Sequence, residues 1–179
     1  MKKFIPLSDL GPRICILGPS NSGKSTLAHA IARKTACPVV HLDQLYHLPH
    51  TRWQPRPEAQ FLALHRAAVQ EERWVIEGNY TRCLPERLNR ATGVILLDIA
   101  LPHMLLRYVR RTLFERDRVG GIEMGNQRDR LTIEMLKYLI VTTPHNRTRH
   151  RQCLADCAQP TLFLSSPAEV SACWQAWAL

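Results

Sequence analysis

The stretch from Arg13 to Thr26, Arg-Ile-Cys-Ile-Leu-Gly-Pro-Ser-Asn-Ser-Gly-Lys-Ser-Thr, constrains this chain more than any other. An apolar, β-type run ends at Gly18, a turn follows, and Gly23-Lys24-Ser25 opens an apolar-periodic segment containing Leu27 and Ile31. Gly18 to Ser25 fits G-x-x-x-x-G-K-[ST], the phosphate-binding loop, in its required strand–turn–helix setting. The glycines let the backbone curl until successive N–H groups point inward at phosphate oxygens, and the helix dipole adds to that nest. The reading assigns Gly18, Pro19, Ser20, Asn21, Ser22, Gly23, Lys24, Ser25 and Thr26 to the nucleotide. Lys24 reaches the β- and γ-phosphates, and the Ser25 hydroxyl ligates magnesium.

A length of 179 residues suits one domain, 1–179, with a full core. The longest apolar run, Val94 to Leu101, is interrupted by Asp98 and is too short to span a membrane. Pro6, Ser8 and Asp9 break any signal-peptide core behind Met1-Lys2-Lys3, so the expected location is the cytoplasm. His150, Cys153 and Cys157 share helical spacing but lack a fourth ligand, and the six cysteines read as reduced thiols. The net charge of +9 gathers at 107–118 and 147–151, where it suits a triphosphate or, alternatively, nucleic acid.

Strands are expected at Val39–Asp43, Trp74–Glu77, Val94–Asp98 and Thr161–Ser165, alternating with helices. The helices run from Gly23 to about Thr35, Pro57 to about Glu72, a short one near Pro85, and Pro102 to about Arg118. In that last one Leu105, Val109 and Leu113 face inward. Two more follow from about Asp129 to Thr143 and on to Cys157, and Ser166-Pro167-Ala168-Glu169 is a capping box that starts the final helix. The alternation predicts an α/β fold with a parallel sheet covered on both faces. Ligands in such sheets bind beyond the carboxyl ends of the strands. Those ends carry Asp43, Glu77-Gly78 and Asp98.

Two acids compete for the magnesium-side role beside Ser25, Glu77 and Asp98, and the sequence leaves the choice open. Asp43 is the candidate to accept the proton of an attacking hydroxyl or, where the acceptor is already a phosphate, only to orient it. The proline- and aromatic-rich segment after it, within a substrate-side unit of about 44–72, brings Tyr46, His47 and Trp53 toward the acceptor. Arg107, Arg111 and Arg116 are the arginines assigned to the transferring phosphoryl group. Gly120-Gly121 and Gly125 make 115–128 a lid.

With these residues in hand, the chain resembles the adenylate-kinase-like and shikimate-kinase-like small phosphate-loop kinases. It is similar, more closely, to bacterial proteins described as DNA topology modulation proteins. The resemblance is carried by Gly18 to Thr26, His41 to Tyr46, Trp74 to Tyr80, Leu97-Asp98 and Arg107 through Arg116. It implies a three-layer fold with a five-stranded parallel sheet of order 2-3-1-4-5, a lid after the fourth strand, and ATP as donor. Glu77 stands where nucleoside monophosphate kinases carry an aspartate before glycine. Gly78, Asn79 and Tyr80 face the acceptor in that alignment. Asn79-Tyr80 replaces the usual aromatic-proline-arginine, which leaves Arg82 as the substitute for an acceptor-phosphate arginine.

The sequence therefore predicts a phosphotransferase using ATP and Mg2+ on a small-molecule acceptor, with no membrane partner, as a monomer or homodimer. The alternative is a nucleotide-dependent regulatory protein that contacts nucleic acid. Lys24→Met is expected to lower ATP turnover by about 10²–10³-fold, measured as ADP release, because it removes charge aimed at the transition state. Turnover at the wild-type rate would contradict the assignment.

Overall fold

The computed structural model describes residues 4–51, 53–114, 143–155 and 157–179. Five strands, β1 (Arg13–Leu17), β2 (Val39–His41), β3 (Trp74–Glu77), β4 (Gly93–Leu97) and β5 (Thr161–Leu164), form one sheet of order β2-β3-β1-β4-β5. All four pairings are parallel, as the alternating pattern and the resemblance required. Seven α-helices accompany them among the described residues: α1 (Lys24–Thr35), α2 (Leu42–Tyr46), α3 (Glu58–Gln70), α4 (Leu84–Arg90), α5 (Leu101–Phe114), α6 (Thr143–Ala155) and α7 (Pro167–Trp177).

The period-two alternation of the strands sorts the core into two layers. Ile14, Ile16, Val75, Ile95 and Leu97 face α1 and α7, packing on Leu27, Ile31, Cys173 and Trp177. Cys15, Leu17, Trp74, Ile76, Val94 and Leu96 face the other side, against Leu42, Val69, Leu84 and Leu154 of α2, α3, α4 and α6. Central-strand side chains are thus buried on both faces, which explains why these strands read as unbroken apolar runs. No described helix is long and apolar enough to cross a membrane.

Three local expectations change. β2 ends at His41, two residues early, because fully buried Leu42 turns the chain into α2 and His47 N–H closes on the Asp43 carbonyl at 3.1 Å. Asp43 therefore projects from a helical turn and not from a strand. The following segment is pinned by an isolated His47–Pro55 bridge, with Arg56 N–H donating to the Tyr46 carbonyl at 2.7 Å.

On α5 Met104 and Tyr108 are buried, Leu101 and Leu105 half-buried, and Val109 is 38% and Leu106 69% exposed. The buried positions lie one residue before the expected Leu105 and Val109, about 100° around a 3.6-residue period, and the Leu113 side chain lies outside the described residues. At α7, Ser166 accepts from Glu169 N–H at 3.1 Å, but the Glu169 carboxylate reaches back to Ser165 N–H at 2.8 Å, one residue beyond the expected box. The helix expected over 129–143 lies outside the described residues.

Candidate active site

The loop between β1 and α1 has the backbone that its spelling implies. Gly18 and Gly23 sit at φ 146° and 98°, conformations that favour glycine. A Cβ on Gly18 would lie 2.5 Å from the Leu97 carbonyl oxygen, so the loop could not sit this close to β4 with any other residue. Asn21 takes a left-handed φ of 62°. Its side-chain nitrogen and oxygen, and the Ser22 hydroxyl, are buried with no hydrogen-bond partner among the described residues. Orphaned polar atoms in a buried loop are costly unless something else satisfies them. The Lys24 ammonium folds back onto the Pro19 carbonyl at 3.0 Å, across the loop's concave side.

Sheet geometry selects the acid that meets this loop. Glu77 continues the alternation of Val75 and so points toward α1, on which Ser25 and His29, four residues apart, share one face. The Ser25 hydroxyl donates to Glu77 Oε1 at 2.9 Å. His41, the register partner of Glu77 on β2, reaches the same oxygen through Nδ1 at 2.7 Å. Its Nε2 lies 2.8 Å from His29 Nε2, and the rings stack at 4.9 Å.

A carboxylate only accepts, so His41 donates from Nδ1. In the neutral pair its Nε2 then accepts the His29 Nε2–H. Burial alone would raise the Glu77 pKa, but the His41 hydrogen bond, the Lys24 charge and the Ser25 hydroxyl outweigh it and hold it below the usual carboxylate value. Glu77, only 3% exposed, is a buried anion.

Asp98 has another set of partners. It follows Leu97 on the α6 side of the sheet, and Arg147 Nε and Arg151 Nη2, one turn apart on α6, pair with its two oxygens. Arg147 also donates to the Asp98 carbonyl at 3.3 Å. Burial works against the Asp98 charge, yet the two guanidinium groups prevail and depress its pKa. The acid expected to compete for magnesium is instead neutralised by arginines that the sequence offered to phosphate or nucleic acid.

The acceptor-side residues separate. Asn79 turns to the phosphate loop, its Oδ1 accepting from Gly18 N–H at 3.2 Å. Tyr80 turns the other way and donates its hydroxyl to Asp43 Oδ1 at 2.7 Å. Tyr46, Phe61 and Tyr80 pack at centroid distances of 4.9–5.2 Å, with Tyr46 also edge-on to His47. Arg82, the expected substitute for an acceptor arginine, is exposed and paired with Glu58. The buried cation near Gly78 is Arg87, whose Nη2 donates to the carbonyls of Gly78 and Asn79, each at 3.0 Å.

Arg107 extends from α5 over the loop. Its Nη2 lies 3.4 Å from Thr26 Oγ1, and a Cβ on Gly23 would lie 2.7 Å from its Nη1. The Arg111 side chain, Arg116 and the lid segment of about 115–128 lie outside the described residues. Among the described residues no metal cluster of His, Cys, Asp or Glu forms: His150 is buried while Cys153 is exposed.

Sequence reasoning gave no role to His41, His29 or Arg87. The signal for His41 was its place at the end of β2, in register with the end of β3. Arg87 carried no signal beyond its charge, and only its complete burial distinguishes it from a solvated arginine.

These features define the class to which the fold belongs, a three-layer α/β phosphate-loop fold built on a five-stranded parallel sheet. Two solved structures are similar in fold over nearly the whole chain. A gluconokinase from Sinorhizobium meliloti 1021 aligns with a TM-score of 0.54 at 14% identity, covering 94% of this chain and 91% of its own. A shikimate kinase from Bacteroides thetaiotaomicron aligns at 0.51 and 19%, covering 94% and 99%. No protein-family model matches the chain, and no curated protein does.

The Asp98 cluster predicts an acid-sensitive link between β4 and α6. A carboxyl with a depressed folded pKa contributes stability above its unfolded value near 4, and that contribution is lost as pH falls through the folded value. Asp98→Asn is therefore expected to be less stable than wild type at pH 6, with the difference shrinking steadily as pH falls below the unfolded value in urea unfolding. A difference independent of pH would contradict the pairing.

Proposed function

We infer that the protein is a Mg-ATP-dependent phosphotransferase acting on a small molecule. The observation that carries this reading is the Ser25 hydroxyl bonded to a buried, ionised Glu77 at the mouth of the phosphate loop. Hydroxyl and carboxylate oxygens suit magnesium, which takes one or two carboxylates, retains waters and is completed by phosphate oxygens. Ser25 and Glu77 fit as its protein ligands, directly or through water, and Asp98, already held by two arginines, fits poorly. When bound, the ion would neutralise charge on the β- and γ-phosphate oxygens.

The chain's own residues supply the rest. Loop amides and Lys24 bind the β- and γ-phosphates, with the Lys24 ammonium exchanging the Pro19 carbonyl for phosphate oxygens. The buried Asn21 and Ser22 polar groups gain partners when the loop fills. Arg107, over Gly23 and Thr26, adds positive charge on the nucleotide side. Asp43 stands on the acceptor side, across β3 from the loop's own strand. The kinase names of the two fold neighbours agree with phosphoryl transfer.

The nucleic-acid alternative drew on the basic segments, and in the second of them Arg147 and Arg151 face Asp98. The direct test is ADP release from Mg-ATP with and without pooled small-molecule acceptors. Acceptor-dependent release, at least tenfold above the ATP-only rate, is the expected result. An equal rate in both samples would leave a simple ATPase and contradict the reading.

A further inference from the structure

We propose that the phosphoryl acceptor is an uncharged molecule with a flat heteroaromatic ring and a free hydroxyl, of the nucleoside or hydroxymethyl-heterocycle class. Its hydroxyl sits on Asp43, and Tyr80 is the residue that positions that carboxylate. This deepens the phosphotransferase reading and rests on it.

The Asp43–Tyr80 bond is the first argument. Tyr80 donates to Asp43 Oδ1 at 2.7 Å from a backbone held at φ 26°, ψ 71°, a region a bulky residue rarely occupies. Burial, then the neighbouring Asp43 charge, pushes the phenol pKa upward, so the hydroxyl stays a donor. One carboxylate oxygen is thereby fixed, and Oδ2 is assigned to the acceptor.

The wall around this carboxylate is the second. Tyr46, Phe61 and Tyr80 form a contiguous ring cluster, extended at its edge by His47 and Trp53. Phe61 is buried, and the half-buried Tyr46 and Tyr80 offer ring surface that complements a flat ring better than an open-chain polyol.

Charge is the third. An acceptor phosphate or carboxylate calls for a guanidinium fork. Each described arginine on the segments that build this side has a protein partner. Arg56 donates to the carbonyls of Leu45 and His47, Arg66 and Arg82 pair with Glu86 and Glu58, and Arg87 holds Gly78 and Asn79. Asp43 itself repels an anion placed beside it.

Transfer then balances without a further reagent. The acceptor oxygen forms a bond to the γ-phosphorus, and the bond from that phosphorus to the β,γ-bridging oxygen breaks. ADP leaves with the electron pair, and the hydroxyl proton passes to Asp43 Oδ2. Asp43 follows β2, the strand two spacings, roughly 10 Å, from β1, with β3 between them.

The test has two arms. Calorimetric titration with Mg and a non-hydrolysable ATP analogue first establishes nucleotide binding; its absence overturns both this inference and the reading beneath it. ADP release is then measured with three acceptor pools: nucleosides with hydroxymethyl heteroaromatics, the corresponding 5′-monophosphates, and the carboxylates gluconate and shikimate. Release with the first pool alone is expected. Release with the second or third pool, or with none while the analogue binds, overturns the acceptor class and leaves nucleotide binding intact.

With the acceptor found, Asp43→Asn is expected to lower kcat at least 100-fold without weakening analogue binding. Tyr80→Phe frees the Asp43 carboxylate from its 2.7 Å hydroxyl partner, so kcat is expected to fall at least tenfold while the acceptor KM and analogue binding stay within about twofold. An unchanged kcat, or a loss confined to KM, overturns the positioning role.

Discussion

The site depends on one buried carboxylate and the donors that keep it charged. Glu77 is out of water at the end of β3, where an unpaired anion would protonate or destabilise the fold. Ser25 and His41 share its Oε1, and Lys24 adds charge from the loop. Those partners come from α1 and β2, so the same contacts that keep the anion ionised also fix the phosphate loop against two strands. His29 extends the set by holding the outer nitrogen of His41, which fixes that ring's orientation. Charged hydrogen bonds of this kind are shorter and roughly twice as strong as neutral ones, which makes the loop's attachment to the sheet firm.

The sheet gives its acids different roles through its two faces. Alternation sends Glu77 to the α1 side, among a hydroxyl and a histidine, and Asp98 to the α6 side, among arginines. One environment leaves oxygen atoms suited to a hydrated dication, and the other is already neutralised by the protein. Asp98 thereby ties α6 to the end of β4, next to the strand that feeds the phosphate loop. Asp43, displaced from β2 onto α2, belongs to neither set and keeps company with Tyr80. Asn79 and Tyr80, adjacent in sequence, connect the two halves: the first holds Gly18, the second Asp43.

Much of this was legible in the chain. The run Val94 to Leu97 could only be a strand buried on both faces, and Gly18 to Ser25 fixed the loop, its strand and its helix together. Sheet order came from the resemblance and not from any local pattern. Contacts that depend on register or on long separations were not legible. The Asp98 partners lie 49 and 53 residues away, on a helix whose docking nothing local dictates. His41 acquires its meaning only when β2 is paired with β3. The five-residue α2 is too short to show a period, so Asp43 read as a strand end. On α5 the fully buried positions, Met104 and Tyr108, lie one residue before the expected Leu105 and Val109, because docking against the sheet, which composition does not constrain, selects the buried face.

The division of labour between Glu77 and Asp98 is tested most directly by a magnesium titration of ATP turnover in Glu77→Gln and Asp98→Asn beside wild type. The account predicts that Glu77→Gln raises the magnesium needed for half-maximal rate by about tenfold or more, the scale of losing a charged ligand-side group, while Asp98→Asn leaves that midpoint unchanged. A shifted midpoint in Asp98→Asn, with Glu77→Gln behaving as wild type, would contradict it.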